Sequence, residues 1–266
     1  MTLPRIVTTS WDDSDLADLR IAELLEARGI NGTFYIPFTR PDGPCQERPA
    51  LTNANVRSLS QSFEIGAHSM THRPLRGISV KELNQEVVPC KGMLEDMVGK
   101  RVQMFCYPCG RFDANVIRAL QGAGYSGART VRMLATRLDF DAFEMPTTVQ
   151  SFAHVHSDYL RNMLRARKLQ GLQLYLAKLN KLVNWVELSK ALFDDVIEHG
   201  GIWHMYGHSW EVDYLGLWED LKQVLDYVSR REGVLYLNNA ELLPFRAGHP
   251  AIKAREDEAV ISTCSR

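Results

Sequence analysis

No run of about 18 apolar residues occurs anywhere in the 266-residue chain, so nothing in it reads as a membrane-spanning helix. Charge of one sign is equally scarce. Against 31 Lys and Arg stand 32 Asp and Glu, a net charge of −1, and without an overall field neither nucleic acid nor an acidic surface is an expected partner. Five cysteines, Cys45, Cys90, Cys106, Cys109 and Cys264, are odd in number and scattered, which makes a poor disulfide framework and suits a reducing compartment. The opening residues, MTLPRIVTTSWDDSDL, lack the apolar stretch and small-residue cleavage site of a signal peptide, so a cytoplasmic location is expected. There is no repeat of about 20–50 residues and no low-complexity segment, which removes solenoids and propellers. What remains is ordinary globular composition, 45% apolar and 24% charged, with length enough for one large α/β unit.

The patterning alternates between strand and helix. Residues 5–11, 32–38, 63–67, 102–107 and 125–129 read as short buried strands, and 16–28, 53–61, 80–98 and 113–122 carry apolar residues at helical spacing, the third with a kink expected at Pro89. Strand 201–206, helix 215–231 and strand 234–237 repeat the unit, which implies parallel strands covered by helices. Residues 158–188 break the rhythm. They read as continuously helical, and from Tyr159 to Val186 hold six Lys or Arg and no acid, an inserted segment (about 157–188) that is either a solvated face or a contact for an anionic carrier or membrane surface. Residues 246–266 read as a polar tail after one domain spanning 1–245.

In parallel α/β folds the residues just after each strand build the site. Here those positions hold Asp12-Asp13, His68-Ser69-Met70-Thr71-His72, Cys106-Tyr107-Pro108-Cys109-Gly110 and Gly207-His208-Ser209-Trp210-Glu211. If strand geometry persisted, adjacent aspartates would face opposite ways, one free as a base and one as a ligand. Histidines at i and i+4 share a face of a helical turn, and with one carboxylate form a ligand set that leaves positions open for water and substrate. Taken singly, Asp12-Asp13 also reads as a helix N-cap and each histidine as a loop residue. An iron oxygenase uses similar ligands, but normally on an all-β scaffold.

These segments resemble the NodB-type polysaccharide deacetylases, carbohydrate esterase family 4. Thr9-Ser10-Trp11-Asp12-Asp13-Ser14 is similar to the family's first motif, with serine where glycine is usual. His68-Ser69-Met70-Thr71-His72 is similar to the second, with the proline delayed to Pro74, and Gly32-Thr33-Phe34-Tyr35-Ile36 to the family's second strand. The third motif appears as Cys106-Tyr107-Pro108-Cys109-Gly110, with cysteine in place of arginine. The resemblance implies an irregular (β/α)7 barrel with the helical insertion, Asp12 as catalytic base, and Asp13, His68 and His72 as ligands of one divalent ion, zinc first, with Co, Ni, Mn or Fe as alternatives. It implies an oxyanion donor in the backbone N–H of Cys109, with Tyr107 and Trp210 beside the substrate.

A histidine after a late strand would be the general acid. His208 is preferred because it lies past the strand end, and His204 is the alternative, with Glu211 or Asp213 orienting the imidazole. Where Cys106 replaces the arginine, Arg111, Arg129 or Arg132 would have to supply the charge beside Asp12. The expected activity is metal-dependent removal of an N-acetyl or other N-acyl group from a sugar or a carrier-linked sugar. Alternatives are hydrolysis of a cyclic amide or imide, a carbohydrate-binding protein with decayed catalysis, and a redox or zinc role for the Cys106-x-x-Cys109 pair.

Overall fold

The computed structural model describes residues 3–41, 43, 45–154 and 184–246. β1 (Arg5–Asp12) is the seed of the sheet: its apolar and small residues are buried on both faces, as a strand covered from two sides requires. β2 (Gly32–Ile36), β3 (Glu64–Ala67), β4 (Met104–Cys106) and β5 (Gly127–Arg129) follow on one side, and β7 (Gly201–Gly207) and β6 (Val149–Gln150) on the other, giving the order β5-β4-β3-β2-β1-β7-β6. Every pairing is parallel. The second edge of β1 is shared: β8 (Val234–Tyr236) pairs with Arg5–Val7 and β2 with Thr9–Asp12.

Residues 145–148 draw the two ends of this curled sheet together. Met145 N–H donates to Ala128 O at 3.0 Å, and Thr148 N–H donates to His204 O at 2.7 Å. The result is an irregular α/β half-barrel: the alternating pattern implied its parallel strands and covering helices, and the family resemblance its irregular barrel.

The covering helices are α1 (Asp18–Glu26), α2 (Asn53–Ser62), α3 (Val80–Val98), α4 (Ala114–Gly122), α5 (Trp185–His199), α6 (Ser209–Tyr214), α7 (Trp218–Val228) and α8 (Asn239–Leu242). Thr52, Ser79 and Asn238 close capping boxes on α2, α3 and α8, satisfying N–H groups that a helix start leaves orphaned. α3 runs through Pro89 as one helix, because Pro89 and Gln85, whose carbonyl loses its partner, both face solvent. α5 corrects the reading of 158–188 as one continuous helix. Asn184 is an N-cap with extended backbone that accepts from the N–H groups of Val186 and Glu187, so a new helix starts at Trp185. The basic segment itself, 155–183, and the tail 247–266 lie outside the described residues.

Candidate active site

All the strand ends named above open on one face. β1 stops at Asp12, and Asp13 (φ 78°) and Ser14 (φ 58°) turn left-handed, so strand alternation does not persist through the pair. The two carboxylates consequently share one space. His208 Nε2 lies 3.9 Å from Asp12 Oδ2 and 3.8 Å from Asp13 Oδ2.

The histidine pair also departs from expectation. Residues 68–72 are not a helical turn; Ser69 (φ 68°) and His72 (φ 55°) are left-handed, and the His72 N–H is held by Ser69 Oγ at 3.0 Å. The chain doubles back, and His72 Nε2 comes within 3.1 Å of His68 Nε2. Both face Asp13 Oδ1, at 3.2 Å for His72 and 3.7 Å for His68. The buried Oδ1 accepts no well-aligned hydrogen bond. His68 Nδ1 lies 2.8 Å from the Cys106 carbonyl, which can only accept, so Nδ1 carries the proton and the Nε2 lone pair is left facing the cluster. Burial holds the His68 pKa down to about 4, which keeps the ring in this neutral form. Two imidazole nitrogens and a buried carboxylate oxygen, all donor atoms of the kind divalent ions take, converge on one point of a buried corner. Asp13, His68 and His72 therefore fit a divalent ion.

Glu86, a buried acid of α3, supports this turn: its carboxylate accepts from Thr71 N–H at 2.9 Å and from the Thr71 hydroxyl at 2.6 Å, and its carbonyl accepts from Met70 N–H at 3.2 Å. Its position on the buried stripe of a helix otherwise lined by Leu83, Val87, Cys90 and Leu94 was the available sequence signal.

Asp12 is paired with Arg129, whose Nη2 donates to both carboxylate oxygens. Cys106 and Arg129 are register partners on β4 and β5, so both side chains rise on the same face and Arg129 brings its charge to the neighbourhood of position 106. The Arg129 guanidinium is fully buried between the rings of Tyr206 and Tyr35, 4.8 and 5.3 Å from their centroids. Burial pushes the Asp12 pKa up, but the charges of Arg129 and His208 outweigh it and hold the carboxyl ionised. Cys106 Sγ lies 3.6 Å from Asp12 Oδ2, and burial pushes its thiol up, so it remains neutral.

His208 Nδ1 donates to Glu211 Oε2 at 2.6 Å. Burial pulls the imidazole down, but Asp13 and Glu211 raise its pKa to about 9. His204 is placed otherwise: its Nδ1 donates to Pro146 O at 3.1 Å and its Nε2 accepts from Ser10 Oγ at 2.9 Å, which uses both nitrogens inside the barrel. Asp213 bonds Arg48 and Trp218 rather than a histidine. Trp210 Nε1 donates to Asp13 Oδ2 at 3.0 Å, so the indole fixes a candidate ligand. Cys109 sits in the turn Pro108–Gly110 with a left-handed φ of 53°. The Tyr107 side chain is not brought to the site; it is buried, stacked on Phe112, with its hydroxyl given to Phe143 O at 2.9 Å.

The polysaccharide deacetylase family profile matches residues 2–128, the segment that carries Asp12, Asp13, His68, His72 and Cys106. Over this first part of the chain the sequence is similar to the polysaccharide deacetylases. Over 76 residues it is 24% identical to YxkH of Bacillus subtilis, a protein whose name places it among polysaccharide deacetylases; the match spans 28% of this chain and 27% of that relative. Two solved structures share the deacetylase fold. The chitin deacetylase of Colletotrichum lindemuthianum has a TM-score of 0.56 at 14% identity, over 94% of this chain and 91% of its own. A CE4 family pseudoenzyme of Bacillus anthracis has a TM-score of 0.53 at 15% identity, over 92% of this chain and 68% of its own.

Proposed function

We propose that this chain, similar to the polysaccharide deacetylases over residues 2–128, is a divalent-metal-dependent hydrolase that removes an N-acetyl or similar N-acyl group from a sugar or a sugar-containing biosynthetic intermediate. The observation that carries the reading is the convergence of Asp13, His68 and His72 on one point, with Asp12 and His208 beside it and poised in opposite protonation states. An ion held by the three ligands would acidify a water and polarise the acyl carbonyl. Asp12, kept ionised by Arg129, takes the proton of the water whose oxygen attacks the carbonyl carbon. His208, kept protonated by Asp13 and Glu211, gives its Nε2 proton to the nitrogen as the C–N bond breaks, so the products are a free acid and an amine. The Cys109 backbone N–H is the proposed extra donor to the oxyanion.

A decayed, carbohydrate-binding protein is the second reading, raised by Cys106 at the arginine position. Arg129 weighs against it, because it brings a charge beside Asp12 from the neighbouring strand. A carrier-linked substrate, with its anionic part on the basic segment 155–183, is a finer proposal that the charge pattern of that segment supports.

Incubating the protein with a panel of N-acylated sugars and sugar nucleotides plus Zn²⁺, Co²⁺ or Ni²⁺, and following acid release by mass spectrometry, tests the reading. His68→Ala and His72→Ala should each lose metal binding and at least about 100-fold in rate. Full activity in either variant without bound metal overturns it.

A further inference from the structure

The segment that follows β2 is tied to both ligand-bearing turns. Phe38 and Thr39 N–H groups donate to the carbonyls of Ser69 and Met70, at 3.4 and 2.8 Å, and Leu51 N–H donates to Ser14 O at 2.9 Å. At its centre Arg40, only 10% exposed, donates Nε to the Asp13 carbonyl at 3.2 Å, Nη2 to Asp15 Oδ2 at 2.7 Å and Nη1 to the Arg48 carbonyl. Asp15 is fully buried and also receives Arg48 Nε at 2.9 Å, and Arg48 reaches Asp213 Oδ2 of α6 at 2.9 Å. This ion-pair chain links the segment after β2, the aspartate turn and the helix that presents His208.

Asp13 and Ser14 are consecutive non-glycine residues at positive φ, a conformation L side chains resist, so the surrounding structure must hold them there. Among the described residues, the side-chain group that hydrogen-bonds the Asp13 carbonyl is the Arg40 guanidinium. If the turn relaxed to negative φ, the Asp13 carboxylate would swing away from His68 and His72.

We propose that Arg40 is a positioning residue: its fork, seated on Asp15, locks the left-handed Asp13–Ser14 turn and so sets the affinity of the Asp13–His68–His72 cluster for its divalent ion. The inference rests on the metal-site reading above and concerns its strength. Lysine at position 40 keeps the charge for Asp15, but a single ammonium lacks the planar fork that serves the Asp13 and Arg48 carbonyls, Asp15 and Cys45 Sγ at once. Glycine at position 14 is at ease at positive φ and makes the lock partly redundant.

The test uses Zn²⁺ alone, with no substrate, in competition with a chromophoric chelator, and follows thermal unfolding of each metal-free protein. Arg40→Lys and Arg40→Met should weaken Zn²⁺ binding about 10- to 100-fold, with Arg40→Lys unfolding close to wild type. Adding Ser14→Gly to Arg40→Lys should recover the affinity to within about threefold of wild type, since the lost restraint is conformational. Wild-type affinity in Arg40→Lys, or no recovery with Ser14→Gly, overturns the proposal. Zn²⁺ binding that is lost in His68→Ala but indifferent to Arg40 overturns the lock alone, whereas a wild-type protein that binds no Zn²⁺ overturns the metal site with it.

Discussion

At the residue scale the decisive substitution is the pairing of Cys106 with Arg129. A buried carboxylate needs a partner to stay ionised, and in this chain the partner stands on β5 rather than β4. Arg129→Met leaves Asp12 buried without its cation. We expect a loss of about 3–5 kcal/mol of stability and a rise in the Asp12 pKa that moves the acid limb of the kcat/KM profile upward. The cost should fall in Arg129→Met/Cys106→Arg, because the register partner projects from the adjacent position on the same face. Unfolding curves and pH–rate profiles of the single and double variants check this; an acid limb unmoved by Arg129→Met refutes the role.

At the scale of elements, the first turn of α6 supplies both His208, as its N-cap, and Glu211, three residues on and hydrogen-bonded to it. The Glu211 carboxylate is one of three charges, with Asp13 and Asp12, that raise His208 to about 9 against the pull of burial. A general acid works while protonated, so the rate should fall as pH rises through that value. In Glu211→Gln the amide still accepts the Nδ1 proton but the charge is gone, and the basic limb should move down by about one to two pH units. Rates near wild type at pH 6 with a large loss at pH 8.5 are expected, and an unshifted basic limb counts against His208 as the acid.

Across the whole molecule, the end of the barrel opposite the site is closed by polar groups. Glu64 of β3 accepts from Thr33 of β2 at 2.7 Å and from Ala240 N–H of α8 at 3.1 Å, and Asn239 bonds Thr8, Thr33 and Tyr35. Burial raises Glu64 to about 7 against the pull of these hydrogen bonds. The folded state therefore holds this proton more tightly than the unfolded chain, whose carboxyl has its ordinary value near 4.5. Its stabilising contribution is full below about pH 4.5 and is lost as pH rises through 7, roughly 3 kcal/mol in all. Glu64→Gln removes the titration. The variant should melt several degrees above wild type at pH 8 and close to it at pH 5; an equal difference at both values rules the linkage out.

How much of this was legible in sequence follows from the range of each interaction. Strands and helices were readable to within a few residues over 5–129, where apolar periodicity and caps such as Asp113 are local signals. α5 was not, because the apolar residues from Trp185 onward continue the pattern of the segment before them and the break is made by one N-capping asparagine. Asp12, Asp13, His68, His72 and His208 stand at strand ends and were visible there. Arg40, Asp15, Arg48, Glu86 and Trp210 as a partner of Asp13 were not, since each acts on a residue from another loop.

Sequence by itself determined the donor types, their order after the strands and the alternation that sends those strand ends to one face, because side-chain chemistry and short-range periodicity are written residue by residue. Only the tertiary structure decided that Asp12 and Asp13 share a space, that the two histidines meet through a left-handed turn, that Arg129 supplies the charge Cys106 lacks and that His204 is spent inside the barrel. Those outcomes depend on backbone φ and on register between strands distant in sequence, quantities that a linear pattern of residues does not contain.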